Sequence, residues 1–457
     1  MTERGTLATT RPRGDLTGSR WLRHPLTLVV GGFLAIRAIG LLALLVSDRG
    51  GRSLIEVLAT WDGGWFVRIA TEGYSRSLEL SAPGAEQGGG TLAFFPFYPA
   101  LMRSVSGLTG LDPRWAGVLI SLVAGAAAAA GVAILATDWA GERVGILAGL
   151  LWACAPMAVV STLVYTEGLF TALVVWTFIA LRRHAWLLAG SLGAVAGLTR
   201  PTGIALGAAV AAYAAWIWWQ GTRVRQSPGR SPDADSADAD SADPDSADPD
   251  SAAADSAAAV GIRPRALTRV GVLPLVAGAL ALAGTPAFWL WVAVRSGRWD
   301  GWFAVQTAFW GSRFDSGSTI FTLFRDVFLG ALDGGSTIFT LVEQVLPGGN
   351  AGDGGFVNLA VVISMLAAVY LLAPAIRGRV WWPLLVYTAI SLVLVIGSSG
   401  IVASKVRFLV PIFVLAFPVA RWLAGRSRPT QAVVILAAVA ATTVSGTWLL
   451  LIWPYAI

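Results

Sequence analysis

The sequence predicts an all-α polytopic membrane protein with about eleven transmembrane helices and two large extracytoplasmic loops. Three observations lead there. Of 457 residues, 55% are hydrophobic and only 13% are charged, too little charge to cover a soluble domain of this length. The apolar residues gather in blocks near the roughly 20 residues that a bilayer core of about 30 Å requires. The arginines between those blocks are distributed unevenly, as the positive-inside rule demands.

The blocks run at 25–47, 116–137, 144–163, 167–181, 185–199, 203–219, 269–294, 356–374, 380–397, 406–424 and 430–453. A tail over 1–24 precedes them with five arginines, Arg4, Arg11, Arg13, Arg20 and Arg23. The first block is longer than a signal-peptide core and lacks a small-residue cleavage site, so it reads as an uncleaved first helix. The blocks at 185–199 and 203–219 are short, and Arg200-Pro201 separates them. With the N-terminus in the cytoplasm and one crossing per block, 19 Lys/Arg fall inside and 13 outside, and Arg37 lies within the first span. This threading leaves extracytoplasmic loops at 48–115 and 295–355, and puts the Trp453-Pro454-Tyr455 end at the outer interface.

A low-complexity tract from Ser231 to Ala259 holds nine of the 27 acidic residues and no large apolar one. It reads as a disordered cytoplasmic linker over 221–268. The linker divides an N-terminal transmembrane module, 25–220, from a C-terminal bundle, 269–457. In the second loop, Asp315–Asp326 is echoed 18 residues later by Asp333–Gln344, which reads as a tandem duplication.

Composition excludes several classes of function. The single Cys154 permits no intrachain disulfide. His24 and His184 are far apart, so neither a His/Cys metal site nor a metal ligand set is expected. No Gly-rich phosphate loop is present, and no cofactor is expected. The basic residues are almost all arginine, Lys405 being the lone lysine, and outside the membrane blocks no basic stretch is interleaved with aromatics. The positive charge is read as topology and contact with anionic membrane lipids; no nucleic acid is expected as a partner.

The polar motifs all fall on the extracytoplasmic side. Trp61-Asp62-Gly63-Gly64-Trp65 opens a segment whose apolar spacing is helical from Trp65 and stops at Gly73. It reads as a short amphipathic surface helix with Asp62 just before its start. Ala93-Phe94-Phe95-Pro96-Phe97-Tyr98-Pro99 carries two prolines among aromatics and reads as a re-entrant or interfacial piece. Tyr165-Thr166-Glu167 puts a carboxylate at membrane depth, a site by default, although a helix N-terminus also favours negative charge there. Arg200, Lys405 and Arg407 offer cations to an anionic headgroup, with snorkelling as the structural alternative. Arg313 lies in Trp310-Gly311-Ser312-Arg313-Phe314-Asp315 of the second loop. Arg37 is expected to face the bundle interior. A carboxylate base, several cations and aromatic surface helices suit transfer from a lipid-linked phosphate.

The ordered set WDGGWFVRIATEGY, AFFPFYP, YTEGLF, GLTRPTGI and SKVRFLVP resembles the PIG-V family of GPI mannosyltransferase 2-like proteins and their actinobacterial relatives, from Trp61 to Pro411. These are integral-membrane glycosyltransferases of the GT-C fold. The resemblance implies inverting transfer of mannose from a polyprenyl-phosphate mannose donor to a glycolipid, glycan or protein acceptor at the outer face of the cell membrane. It makes Asp62 the general base and gives Glu167 a supporting role. Arg200 and Arg407 fall on cation positions of the motifs, and Trp61, Trp65, Tyr98, Tyr165, Arg313 and Lys405 complete the expected substrate-binding set. A transporter of lipid-linked sugar, or a non-catalytic subunit of the same fold, are the alternatives.

Overall fold

The computed structural model describes residues 23–75, 89–226, 271–332 and 355–453. The N-terminal tail to residue 22, the Ser231–Ala259 tract, most of the expected linker and the second repeat copy lie outside them. The described chain is almost wholly helical, apart from turns and one bridge between Phe314 and Ser398.

Long helices form the frame: α1 (Arg23–Val46), α5 (Pro113–Ala140), α9 (Gly203–Gln226), α10 (Leu273–Ser296), α13 (Gly355–Arg377) and α17 (Arg428–Leu451). The apolar stretches Pro25–Val46, Pro113–Ala140, Leu273–Ser296, Val357–Arg377 and Arg428–Leu451 are each long enough to cross a membrane. Leu42 on α1, Tyr370 on α13 and Leu436 on α17 are exposed. So much outward apolar surface suits lipid and not water.

Shorter helices pack between these: α6 (Glu142–Ala153), α7 (Glu167–Arg182), α8 (Trp186–Gly197), α14 (Trp382–Ile396) and α16 (Ala416–Ala424). Helix α8 approaches α10 backbone to backbone. A Cβ on Gly284 would lie 2.0 Å from the Ala194 carbonyl, so only glycine fits there.

Two of the expected spans are broken. The 144–163 block ends as helix at Ala153, turns through Pro156 and Met157 (φ 62°), and makes a 3-10 turn over Ala158–Ser161. The 406–424 block holds α15 (Ser404–Arg407), a turn at Pro411, and then α16. Proline removes a donor and clashes with the preceding turn. In a bilayer the freed carbonyls must find partners inside the protein, and side chains supply them. Arg37 donates to the carbonyls of Ala153 and Ala158 on either side of the first break. Trp152 Nε1 donates to Val410 O at 2.9 Å, and Tyr387 Oη to Pro411 O at 3.1 Å, across the second.

The loops expected at 48–115 and 295–355 contain short helices: α2 (Leu54–Leu58), α3 (Asp62–Glu72) and α4 (Phe97–Thr109) in the first, α11 (Gly301–Trp310) and α12 (Ser318–Leu332) in the second. The aromatic Pro-containing segment starts α4. Pro96 precedes the helix and Pro99 occupies its first turn, where a missing N–H costs nothing.

Candidate active site

Local chain geometry brings Asp62 to Tyr165. The hydroxyl and N–H of Ser53 both donate to Glu56 Oε2, at 2.8 and 2.7 Å, and fix the start of α2. The last residue of α2, Leu58, accepts from Val164 N–H at 3.0 Å. The chain then turns at Trp61 with φ 53° and ψ −117°, a conformation costly for a bulky residue and held by its surroundings. Asp62 follows as the first residue of α3, one place later than the spacing of apolar residues implies. A Cβ on Gly63 would meet Val164 Cβ at 3.3 Å. The glycine therefore lets the first turn of α3 press against the residue before Tyr165. Asp62 N–H points to Tyr165 Oη at 3.4 Å.

Helix α5 holds the same connection from below. Tyr98 Oη lies 2.9 Å from both Gly117 O and Ser121 Oγ, and Ser121 Oγ donates to Tyr165 O at 3.0 Å. Tyr98 and Tyr165 are fully buried. Glu167 heads α7, where the helix dipole favours its charge. Phe97 N–H donates to Leu198 O at 3.0 Å, joining the start of α4 to the turn that carries Arg200.

Two arginines close the group. Arg407 Nη1 is 2.6 Å from Asp62 Oδ2 and its Nε is 3.7 Å from Glu167 Oε1. Arg200 Nη1 is 2.6 Å from Glu167 Oε1 and donates to Thr166 Oγ1 at 2.8 Å. Both guanidinium groups lie over the Phe408 ring, at 5.0 Å for Arg407 and 5.3 Å for Arg200, and Arg407 also lies 5.1 Å over Tyr165. Aromatic faces stabilise a cation in a site poor in water.

Four charges of alternating sign thus run Asp62, Arg407, Glu167, Arg200, and they sum to zero. The Glu167 side chain is 0% exposed and that of Asp62 19%. The buried carboxylate holds the cations, while the open one can reach a ligand. Both Glu167 carboxylate oxygens, and Arg407 Nε and Nη1, have no directed hydrogen bond despite these short distances. The contacts among these buried atoms are charge on charge, with Asp62 the one member open enough to meet a ligand.

Trp65 is one helical turn from Asp62 on the same face of α3. It stacks on Phe94 at 5.8 Å and meets Trp310 edge-on at 5.9 Å. A Cβ on Gly90 would lie 2.6 Å from the Trp65 ring, so the glycine admits that ring. The result is an aromatic wall beside the charges, built from α3, the segment before α4, and α11.

The structure therefore gathers Asp62, Tyr165, Glu167, Arg200 and Arg407, with Tyr98 beneath them, Trp61 in the turn before α3 and Trp65 on it. It does not bring Lys405 or Arg313 into contact with them. Lys405 is buried, and its Nζ donates to Val395 O at 2.9 Å and to Ser398 O, at the end of α14. Arg313 is exposed, and its backbone pairs with Ser399. Thr166, Ser121, Phe408, Phe94 and Trp310 join the site although the sequence reading assigns them no role. Four of them lie inside the quoted motifs. Ser121, a single polar residue in the apolar run of α5, gives no such signal.

Residues 95–227 match a family model described as dolichyl-phosphate-mannose-protein mannosyltransferase. The match includes Tyr98, Tyr165, Glu167 and Arg200. A comparison with curated proteins finds no match. Among solved structures, the chain is similar to ArnT from Cupriavidus metallidurans bound to undecaprenyl phosphate, with 17% identity, TM-score 0.46, and coverage of 91% of this chain and 64% of that one. It is also similar to the apo oligosaccharyltransferase of Archaeoglobus fulgidus, with 13% identity, TM-score 0.42, and coverage of 94% and 56%. A third similarity is to archaeal oligosaccharyltransferase AglB from Archaeoglobus fulgidus in complex with an inhibitory peptide and a dolichol-phosphate, with 12% identity, TM-score 0.37, and coverage of 92% and 55%. The chain thus spans under two thirds of the length of each.

Proposed function

We propose that this chain is a membrane glycosyltransferase of the GT-C type. In this reading it transfers mannose from a polyprenyl-phosphate mannose to a hydroxyl acceptor, with inversion at the sugar. The observation that carries the proposal is the neutral chain of Asp62, Arg407, Glu167 and Arg200 beside an aromatic wall. The family-model match over 95–227, by its description, supports mannose as the sugar. The acceptor is a glycolipid, glycan or protein hydroxyl, and the site faces the extracytoplasmic side with the N-terminus in the cytoplasm. The modules on either side of the linker, 25–220 and 269–457, form one catalytic unit, because Asp62 and Glu167 come from the first and Arg407 from the second.

Charge balance suggests the mechanism. A lipid phosphate brings negative charge to a site that already sums to zero. It competes with Asp62 for Arg407, displacing the carboxylate from that guanidinium. Asp62, released, takes the acceptor proton as general base. The acceptor oxygen forms a bond to the anomeric carbon, the bond from that carbon to the phosphate oxygen breaks, and the electron pair leaves with the polyprenyl phosphate. Arg407 and Arg200 stabilise the departing charge. Trp65 and Phe94 offer flat apolar faces for the sugar.

The test offers membranes from a host lacking the protein, with and without the chain restored, radiolabelled polyprenyl-phosphate mannose and polyprenyl-phosphate glucose. Mannose label appearing in a lipid, glycan or protein fraction only with the chain present is the expected result. Transfer of glucose but not mannose rejects the donor assignment. No chain-dependent transfer from either donor rejects the enzyme.

A further inference from the structure

At the far end of α5 from the charged site, an open groove of about 390 Å³ lies between the ends of α5, α13 and α16. Trp139, Arg377, Gly378, Arg421 and Trp422 are among its lining residues. Trp139 is about five helical turns beyond Ser121 on α5, about 27 Å along the axis. Trp139 Nε1 donates to Gly378 O at 2.8 Å, and its indole stacks on the buried Phe417 at 5.7 Å. The Arg421 guanidinium lies over the Trp139 ring at 5.3 Å. A Cβ on Gly378 would lie 2.7 Å from that ring and 3.5 Å from Arg421 Nη1, so the glycine lets both close on the end of α13. Arg377, beside Gly378 in the chain, is exposed. Among the described residues no carboxylate pairs with Arg377 or Arg421; Asp138, next to Trp139, faces Arg182 instead at 3.3 Å. Arg426, over Trp422 at 4.8 Å, adds a third cation at the edge. Ile376 and Trp422 are each 54% exposed, apolar surface that suits lipid beside the groove. Two arginines without acid partners, one of them held on an aromatic face, call for an anionic oxygen at the membrane boundary.

We propose that this groove holds the headgroup of an anionic phospholipid, whose phosphate oxygens accept from Arg421 and Arg377. Arginine meets phosphate through a planar fork, and Trp139 holds the Arg421 fork in place before the lipid arrives. Ile376 and Trp422 meet the acyl carbons, and this apolar flank favours a lipid over a soluble phosphate. In the orientation proposed above, the groove faces the cytoplasmic leaflet, which is the anionic one. The site is separate from the Asp62 cluster and stands whether or not the chain is a glycosyltransferase.

Native mass spectrometry of the full-length protein in detergent measures binding of phosphatidylglycerol, of zwitterionic phosphatidylcholine, and of glycerophosphoglycerol as the headgroup without its acyl chains. Three variants accompany the wild type. Arg421→Gln and Arg377→Gln each remove one cation from the lining. Arg379→Gln removes the same charge from an exposed arginine two residues away that does not line the groove. The wild type should hold phosphatidylglycerol at least about tenfold tighter than phosphatidylcholine, and each lining variant should lose about tenfold, as expected for one hydrogen bond to a charged group. Arg379→Gln should change binding by less than about twofold, because an exposed charge off the site is screened. Melting temperatures should stay unchanged, since both lining arginines are exposed. Equal affinity for the two lipids overturns the proposal, and that comparison needs no variant. So does a loss with Arg379→Gln as large as with Arg421→Gln, which would mean diffuse charge and no site. Glycerophosphoglycerol bound as tightly as phosphatidylglycerol would overturn the lipid as occupant.

Discussion

Replacing Glu167 by Gln should destabilise the protein as well as slow it. The substitution keeps the shape and removes one buried charge that faces Arg200 at 2.6 Å and Arg407 at 3.7 Å. Two unit charges about 4 Å apart attract by about 4 kcal/mol at an effective dielectric of about 20. Against that attraction stands the cost of burying the guanidinium groups, which the folded chain still bears after the substitution. The net effect of removing one partner from a buried pair is about 3–5 kcal/mol. The assay is thermal unfolding in detergent followed by intrinsic tryptophan fluorescence, run as a cycle with Arg200→Gln. If Glu167 is the charge that holds Arg200, the double variant recovers much of the loss, and the coupling exceeds about 1 kcal/mol. Additive losses, within about 0.5 kcal/mol, would refute the reasoning. They would mean that the 2.6 Å approach is contact without energy.

Other outcomes follow from the same geometry. Arg407→Lys keeps the charge but loses the planar fork that meets Asp62 and Glu167, so kcat/KM for the donor should fall about 10- to 100-fold in a steady-state transfer assay. Gly63→Val should push the first turn of α3 off Val164 and cost about 100-fold in kcat, as a displacement near 1 Å does; Gly64→Ala, whose Cβ would meet only Ala59 O at 4.0 Å, serves as the tolerant control. Burial opposes the charge on Asp315 at the head of α12, but hydrogen bonds from Thr319, Gly317 and Ser318 outweigh it and bring its pKa down to about 2. That contribution to holding α12 is complete above the ordinary aspartate range near pH 4 and is lost as pH falls towards 2; the protection of the first-turn amides of α12, taken relative to their intrinsic exchange rate at each pH, should fall across that window and stay flat between pH 5 and 7.

Much of the site was legible because membrane chemistry is sparing with charge. Asp62 stands out within the first long loop, and Glu167, Arg200 and Arg407 as charged residues at the ends of apolar blocks; the threading expects all four connections on one face, where they can meet. Hydropathy could not show which of several cations would arrive. Lys405 and Arg407 are two residues apart on a single turn of helix, so they face different ways: one reaches the carboxylates and the other caps α14. Arg313 follows the path of the second loop, which no periodicity specified. The broken spans were hidden because 144–163 is apolar but for Ser161 and Thr162, and 406–424 but for Arg407 and Arg421. Pro156 and Pro411 were the available signals, and the donors that make the breaks tolerable, Arg37, Trp152 and Tyr387, lie far away in sequence. Arg37 was correctly expected to face inward, but its partners are backbone carbonyls, which composition does not reveal.

The central claim is that Asp62 is the base and Arg407 its resting partner. The most direct measurement is the transfer rate of Asp62→Asn with labelled polyprenyl-phosphate mannose, together with donor binding by the same purified variant. The account predicts a fall in kcat of about 10²- to 10⁴-fold, the usual contribution of a general base. It also predicts donor binding equal to or tighter than wild type, because Arg407 is freed for the phosphate. Transfer by Asp62→Asn at the wild-type rate, with the variant folded and the donor bound, would contradict it.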